Sequence, residues 1–287
     1  MSPLFAVRGV YWRTVRSVIG VSHMAGENKT ARPRVHKIEK LTRRVYEAQL
    51  LEQQRRLQRI QQAYLQTDDR AIVVLEGHDA AGKGGAIRRM SLELDPRSFR
   101  VWPIAAPNEL ERRNHYLQRF WVRLPERGQI AVFDRSWYGR VLVERVEEFA
   151  QEHEWRRAYR EIIEFERKLV DDGARVIKVF LSISEEEQLR RFRERAETPR
   201  KRWKLSEEDF RNRKKRTHYD KAVSAMLNET STARAPWHVI PADDKLGARV
   251  ETLRCIADAA SSGLEFQEPE LPPKLRELIQ SELGIET

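Results

Sequence analysis

Few local features restrict a fold as tightly as an apolar strand that runs into Gly-x4-Gly-Lys, and residues 71–90, AIVVLEGHDAAGKGGAIRRM, contain one. The run from Ala71 to Glu76 has the composition of a buried strand, and a helix-forming segment opens at Lys83. Between them the glycines allow positive φ and close backbone approach, and the lysine is a point charge within reach of outer phosphates. The spacing predicts a phosphate-binding loop contacting its ligand through Gly77, Ala80, Ala81, Gly82, Lys83, Gly84 and Gly85. An ordinary strand-to-helix turn is the plainer alternative. Where such loops usually carry a Ser or Thr whose hydroxyl ligates Mg²⁺, this one has Gly84.

The flanking sequence repeats the strand–helix alternation. Strands are expected at 71–76, 100–104, 129–133, 175–182 and 237–242. Helices are expected from Lys83, over 109–122, 138–172, 184–196 and 244–260, and as one long helix or a helical pair from Val35 to about Gln66. Apolar strands alternating with helices read as an α/β fold, a parallel sheet covered by helices on both faces. Right-handed crossovers bring the strand ends to one edge, where ligands bind.

Two carboxylates answer for the missing hydroxyl. Asp79 stands inside the loop, where it would repel bound phosphates unless a cation lay between them; a cap on the following turn is the other reading. Asp134 ends the apolar strand of QIAVFDRSWYGRVLVERV, the Walker B position that delivers a carboxylate to Mg²⁺. Arg135 and Arg140 flank Trp137 and Tyr138 and are candidates for neutralising charge on a transferred phosphoryl group. Both also read as surface ion-pair partners, Arg140 with Glu144 one helical turn on.

A third cluster lies in LRRFRERAETPRKRWKLSEEDFRNRKKR, residues 189–216. Basic residues crowd a helix break at Thr198-Pro199, and Ser206 opens the next helix with a capping box to Asp209. The pattern reads as a mobile helical lid over phosphates, with Arg195, Lys201 and Arg202 as its phosphate ligands, or else as a solvated charged face.

Composition enters in support. The 287-residue chain carries a net charge of +10, with 34% of its residues charged, which suits a polyanionic partner. The single cysteine, Cys255, lies in an apolar helical pattern; no internal disulfide and no thiolate metal site is expected of it, and it reads as a buried, inert thiol rather than a reactive one. No run approaches the roughly eighteen apolar residues of a membrane span, so a soluble, cytoplasmic protein is expected. Residues 1–30 read as a poorly ordered leader, with a weak amphipathic membrane contact or a translation start at Met24 as alternatives. Residues 31–262 read as the catalytic domain, with its lid at about 189–216, and residues 263–287 as a Pro-broken tail whose short helix opens after Pro273.

With GHDAAGKGG, DRSWYGR and RKRWK in hand, the sequence closely resembles the second family of polyphosphate kinases. The resemblance runs from about Ile38 to Ala260 and includes the Gly84 replacement; His78 and Phe210 depart mildly from the family pattern. It implies a P-loop kinase fold, Mg²⁺ held by Asp79 and Asp134, and a catalytic group of Asp79, Lys83, Asp134 and Arg135. It also implies terminal phosphoryl transfer between inorganic polyphosphate and a nucleotide, with AMP favoured over ADP, and a homo-oligomer, dimer or tetramer. An ATP-dependent nucleotide kinase of the same fold is the main rival, although its loop would read Gly-Lys-Ser or Gly-Lys-Thr. A non-enzymatic nucleic-acid-binding protein is the third reading, but no recognition-helix or aromatic RNA-binding signature is present, so no nucleic-acid partner is expected.

Overall fold

The structure, a computed structural model, describes residues 31–266 and 271–285. The expectation for the leader at 1–30 therefore lies outside the described residues. Among the described residues the sheet has six strands, all parallel, in the order β1-β6-β5-β2-β4-β3. They are β1 (Arg34–Val35), β2 (Arg70–Gly77), β3 (Phe99–Pro103), β4 (Ile130–Asp134), β5 (Ala174–Ser182) and β6 (Trp237–Pro241). β2 lies between β4 and β5, so the chain leaves it in opposite directions and its C-terminal end is a topological switch point.

Alternation along β2 explains why a continuous apolar run was required. Val73 and Leu75 face a core shared with Leu57, Ile60 and Tyr64 of α1 (Arg43–Thr67), Met90 of α2 (Lys83–Ser91), and a C-terminal helix, Lys245–Ala260. Ile72 and Val74 face a second core with Phe120, Trp137, Tyr138, Phe165 and Met226. Successive side chains point to opposite faces, and both faces are covered, so neither register position tolerates a polar residue without a partner.

The expected long N-terminal helix is one helix, α1, capped by the Thr42 hydroxyl accepting from the Val45 N–H at 3.4 Å. The residues before it instead form β1, a two-residue edge strand beside β6. The helix expected at 109–122 is two short ones, α3 (Glu109–Arg112) and α4 (Gln118–Trp121). Between them the Asn114 side chain donates to the Leu110 carbonyl at 3.0 Å, a local bond that competes with helix propagation.

The expected span 138–172 also divides, into a 3₁₀ turn (Trp137–Val141), α5 (Val143–Val146) and α6 (Glu152–Asp171), with Glu148 at φ +61° in the break. The remaining helices are α7 (Glu185–Glu197), α8 (Glu207–Lys214), α9 (Arg216–Thr230), α10 (Lys245–Ala260) and α11 (Pro273–Leu283). A 3₁₀ segment, Pro199–Lys204, bridges α7 and α8, and Ser206 and Asp209 form the expected capping box. No helix among the described residues is long and apolar enough to cross a membrane.

Candidate active site

The loop leaves β2 at Gly77, where a Cβ would meet the Leu181 carbonyl oxygen of β5 at 2.5 Å, so only glycine fits against the neighbouring strand. Ala80 at φ +63° and Gly82 at φ +120° turn the chain into α2. The Lys83 ammonium folds back to donate to the Gly77 carbonyl at 2.7 Å, which stretches the lysine across the loop it closes.

The loop is braced from behind. Arg191 of α7 is buried and donates to the carbonyls of Ala80 and Ala81, both at 2.9 Å, and of Asp243 at 3.1 Å, while Glu187 pairs with it at 2.6 Å. Gln188 donates to the Asp79 carbonyl at 3.0 Å. These bonds hold three carbonyl oxygens that would repel an anion in the loop, without spending any of the loop's N–H groups.

β4 presents Asp134 in register with Leu75 of β2 and Pro103 of β3. Its carboxylate is half-buried and makes no hydrogen bond or ion pair with the described residues. The next residue, Arg135, takes the left-handed conformation at φ +65°, its N–H bound to the Leu75 carbonyl at 3.1 Å. That turn aims its guanidinium at Asp79, 3.5 Å away, and at Glu208 of α8, 3.4 Å away. Burial lowers its pKa, but the surrounding carboxylates, Asp79 first and then Glu208, Glu76 and Asp134, outweigh that and the net shift is upward.

Buried polar bonds fix the turn itself. Ser136 donates to Glu76 at 2.8 Å, and Trp137 and Tyr138 donate to Glu166 of α6 at 3.1 and 2.7 Å. Glu166 pairs with Lys178 of β5 at 2.6 Å, and Lys178 also donates to Tyr138 and to the Thr230 carbonyl. Burial raises the Glu76 carboxyl above its usual range against the opposing pull of Lys83.

Two cavities open on the two sides of the loop. One, about 320 Å³, runs from Ala80–Gly82 and Gly85 to Arg195, Lys201, Lys204, Lys245 and Arg249, with Glu194 among the cations. The other, about 90 Å³, lies between Asp79, Arg135 and α8–α9, with Leu142, Val143 and Phe180 giving it an apolar side. Asp79 borders the second; Asn212 donates to its carboxylate at 2.8 Å.

The structure thus gathers Gly77, Ala80, Ala81, Gly82, Gly85, Asp79, Arg135, Arg195 and Lys201 around these cavities. Lys83 and Gly84 begin α2 at the loop's end, and Asp134 ends the adjacent strand. Arg140 and Arg202 line neither cavity. Arg140 pairs with Glu144 at 3.1 Å over the Tyr116 ring, the ion-pair alternative its spacing offered, and Arg202 is exposed and donates to the Ala196 carbonyl at 2.8 Å.

Sequence reasoning missed Glu76, Asn212, Lys245 and Arg249, and it counted Arg191 and Lys204 in the basic lid cluster without singling them out. Lys245 and Arg249 are four residues apart in the first turns of α10, directly after the last strand, so their place at the ligand edge was available from order alone.

Fold and loop define an α/β protein with a glycine-rich loop at the switch point of a parallel sheet. The chain belongs to the polyphosphate kinase 2 family, whose model, Polyphosphate kinase 2 (PPK2), matches residues 40–267. It is 50% identical over 219 residues to the polyphosphate:AMP phosphotransferase of Pseudomonas syringae pv. tomato, covering 76% of this chain and 44% of that protein. The chain thus spans less than half the length of that relative. It is 40% identical to the ADP-polyphosphate phosphotransferase of Pseudomonas aeruginosa, over 81% of this chain and 75% of that one. The crystal structure of polyphosphate kinase 2 from Arthrobacter aurescens TC1 superposes with a TM-score of 0.79 at 31% identity, covering 84% of this chain and 88% of the other.

Proposed function

We propose that this chain transfers the terminal phosphoryl group of inorganic polyphosphate to a nucleotide, with AMP as the preferred acceptor and ADP as product. The observation that carries the reading is the pair of unlike cavities on either side of one loop. The larger is lined by six cationic side chains, Arg191 among them, a density suited to a phosphate chain. The smaller has an apolar side for a nucleoside and holds Arg135 and Asp79 beside the loop.

A terminal phosphate oxygen of the acceptor is already ionised, so no general base is required. Catalysis becomes alignment across the loop plus neutralisation of the transferred group by Lys83 and Arg135. Asp134, half-buried and with no hydrogen bond or ion pair to its carboxylate among the described residues, and Asp79 form a donor set that fits a hard divalent cation, Mg²⁺ in this reading. Bound there, the cation would supply charge neutralisation at the phosphates.

AMP is favoured because the polyphosphate:AMP phosphotransferase relative is 50% identical, against 40% for the ADP-using one, although the latter matches over more of its own length. A homo-oligomer and a cytoplasmic location are part of the same proposal. Initial rates with Mg²⁺, polyphosphate and either AMP or ADP at matched subsaturating concentrations test it. A larger kcat/KM for ADP overturns the acceptor assignment, and turnover only with ATP as donor overturns the polyphosphate assignment.

A further inference from the structure

At the outer edge of the sheet, lining neither cavity, two histidines and the single cysteine converge. His36 follows β1, His238 lies in β6 and Cys255 lies in α10, and one ligand atom from each falls within 4.8 Å of the others. His36 Nε2 and His238 Nδ1 are 2.9 Å apart. On its other side the His36 ring meets Glu251 of α10, Nδ1 to Oε1 at 2.7 Å. A carboxylate only accepts, so Nδ1 carries the proton and the Nε2 lone pair points into the cluster.

We propose that His36, His238 and Cys255 form a binding site for a zinc-class divalent metal, with Glu251 orienting His36 from behind. A ring nitrogen facing the metal while the other donates to a carboxylate is the usual support of a metal-bound histidine. Zinc binds imidazole nitrogen at about 2.0–2.1 Å and thiolate at about 2.3 Å, so to hold one ion the His36–His238 contact opens slightly while the wider separations in the cluster, up to 4.8 Å, draw inward by about an ångström. His36 is partly exposed, whereas His238 and Cys255 are buried.

Two imidazoles and a sulfur select a borderline metal over the hard cation expected at Asp79 and Asp134. On binding, Cys255 loses its thiol proton and His238 moves its ring proton to Nε2, so one proton is released per metal. The ion would pin the two-residue strand β1, which has few ladder bonds of its own, to β6 and α10.

The test uses the untagged full chain, stripped with chelator and dialysed. Zn²⁺ titration should release about one proton per bound ion and raise Tm by roughly 5 °C at a hundredfold excess over Kd. Co²⁺ should give the near-ultraviolet thiolate charge-transfer band. Cys255→Ala should lose the band, His36→Gln should lose the Tm rise, and Asp134→Asn should keep both. His36 is only partly buried, so its variant remains informative if the cysteine variant folds poorly. No thiolate band with the wild-type chain, or a Zn²⁺-induced Tm rise that survives in both Cys255→Ala and His36→Gln, overturns the site.

Discussion

Removing the Lys178 ammonium by Lys178→Met should destabilise the protein by about 3–5 kcal/mol, because it strands a buried carboxylate. Lys178 is fully buried and Glu166 nearly so, their side chains 0% and 3% exposed and 2.6 Å apart. Without the lysine, Glu166 keeps only two neutral donors, Trp137 at 3.1 Å and Tyr138 at 2.7 Å. For a domain of this size, a loss in that range lowers Tm by roughly 10 °C.

Urea denaturation followed by tryptophan fluorescence would report the loss. Pairing the change with Glu166→Gln should restore much of it, since the amide oxygen still accepts from Trp137 and Tyr138 but carries no charge to leave unpaired. The network also holds the turn that follows Arg135, so turnover of the folded fraction should fall more in kcat than in KM. A single variant within about 0.5 kcal/mol of wild type, or a double variant less stable than the single, would refute the reasoning.

Lys83→Met should abolish turnover while leaving Tm within a few degrees, because α2 and the loop persist; near-full activity in a folded variant removes the lysine from the mechanism. Asp134→Asn and Asp79→Asn should each raise the divalent-metal concentration needed for half-maximal activity, and an effect at Asp134 alone would leave Asp79 as a partner of Arg135 and Asn212. Neutral replacements of Arg195, Lys201 and Lys204 should raise KM for polyphosphate more than for nucleotide, with the gap narrowing at high salt; equal effects would argue for a folding role. Glu194, hydrogen-bonded by Lys201 and Lys245, has its pKa pulled from 4.5 to about 2, so its contribution is complete above pH 4.5 and is lost as pH falls toward 2. Thermal melts between those values should therefore fall less steeply for Glu194→Gln than for wild type.

The strand–loop–helix at 70–91 was legible because each of its parts is local: an apolar run, glycines at the turns, a lysine opening the helix. The lid break at Pro199 and the capping box at Ser206 were legible for the same reason. β1 was not, since two residues carry no periodicity and its pairing with β6 spans some two hundred positions. The supports of the site were hidden because their meaning is set by partners far away in the chain. Arg191 looked like one more member of a basic helix, yet it is the one that grips the loop carbonyls. Lys178, a charge in the middle of ARVIKVFLS, did leave a signal: an ion inside a doubly covered strand has to be paired, although nothing local says that Glu166 is the partner.

Gly84 ties these observations together. A Cβ there would meet nothing within 4 Å, so packing does not exclude a serine or threonine. The hydroxyl is absent for another reason, and the cavity beside it suggests which. At Gly85, which lines that cavity, a Cβ would stand 3.6 Å from the Arg249 guanidinium, and the cations continue to Lys245 and Lys204. A nucleoside triphosphate ends its phosphates at such a loop, and a hydroxyl beneath the metal costs it nothing. A polyphosphate donor would continue past the loop, so on the proposed reading Gly85, which lines the cation-rich cavity, leaves that path clear, and the metal-binding duty passes to two carboxylates, Asp79 from the loop itself and Asp134 from the neighbouring strand.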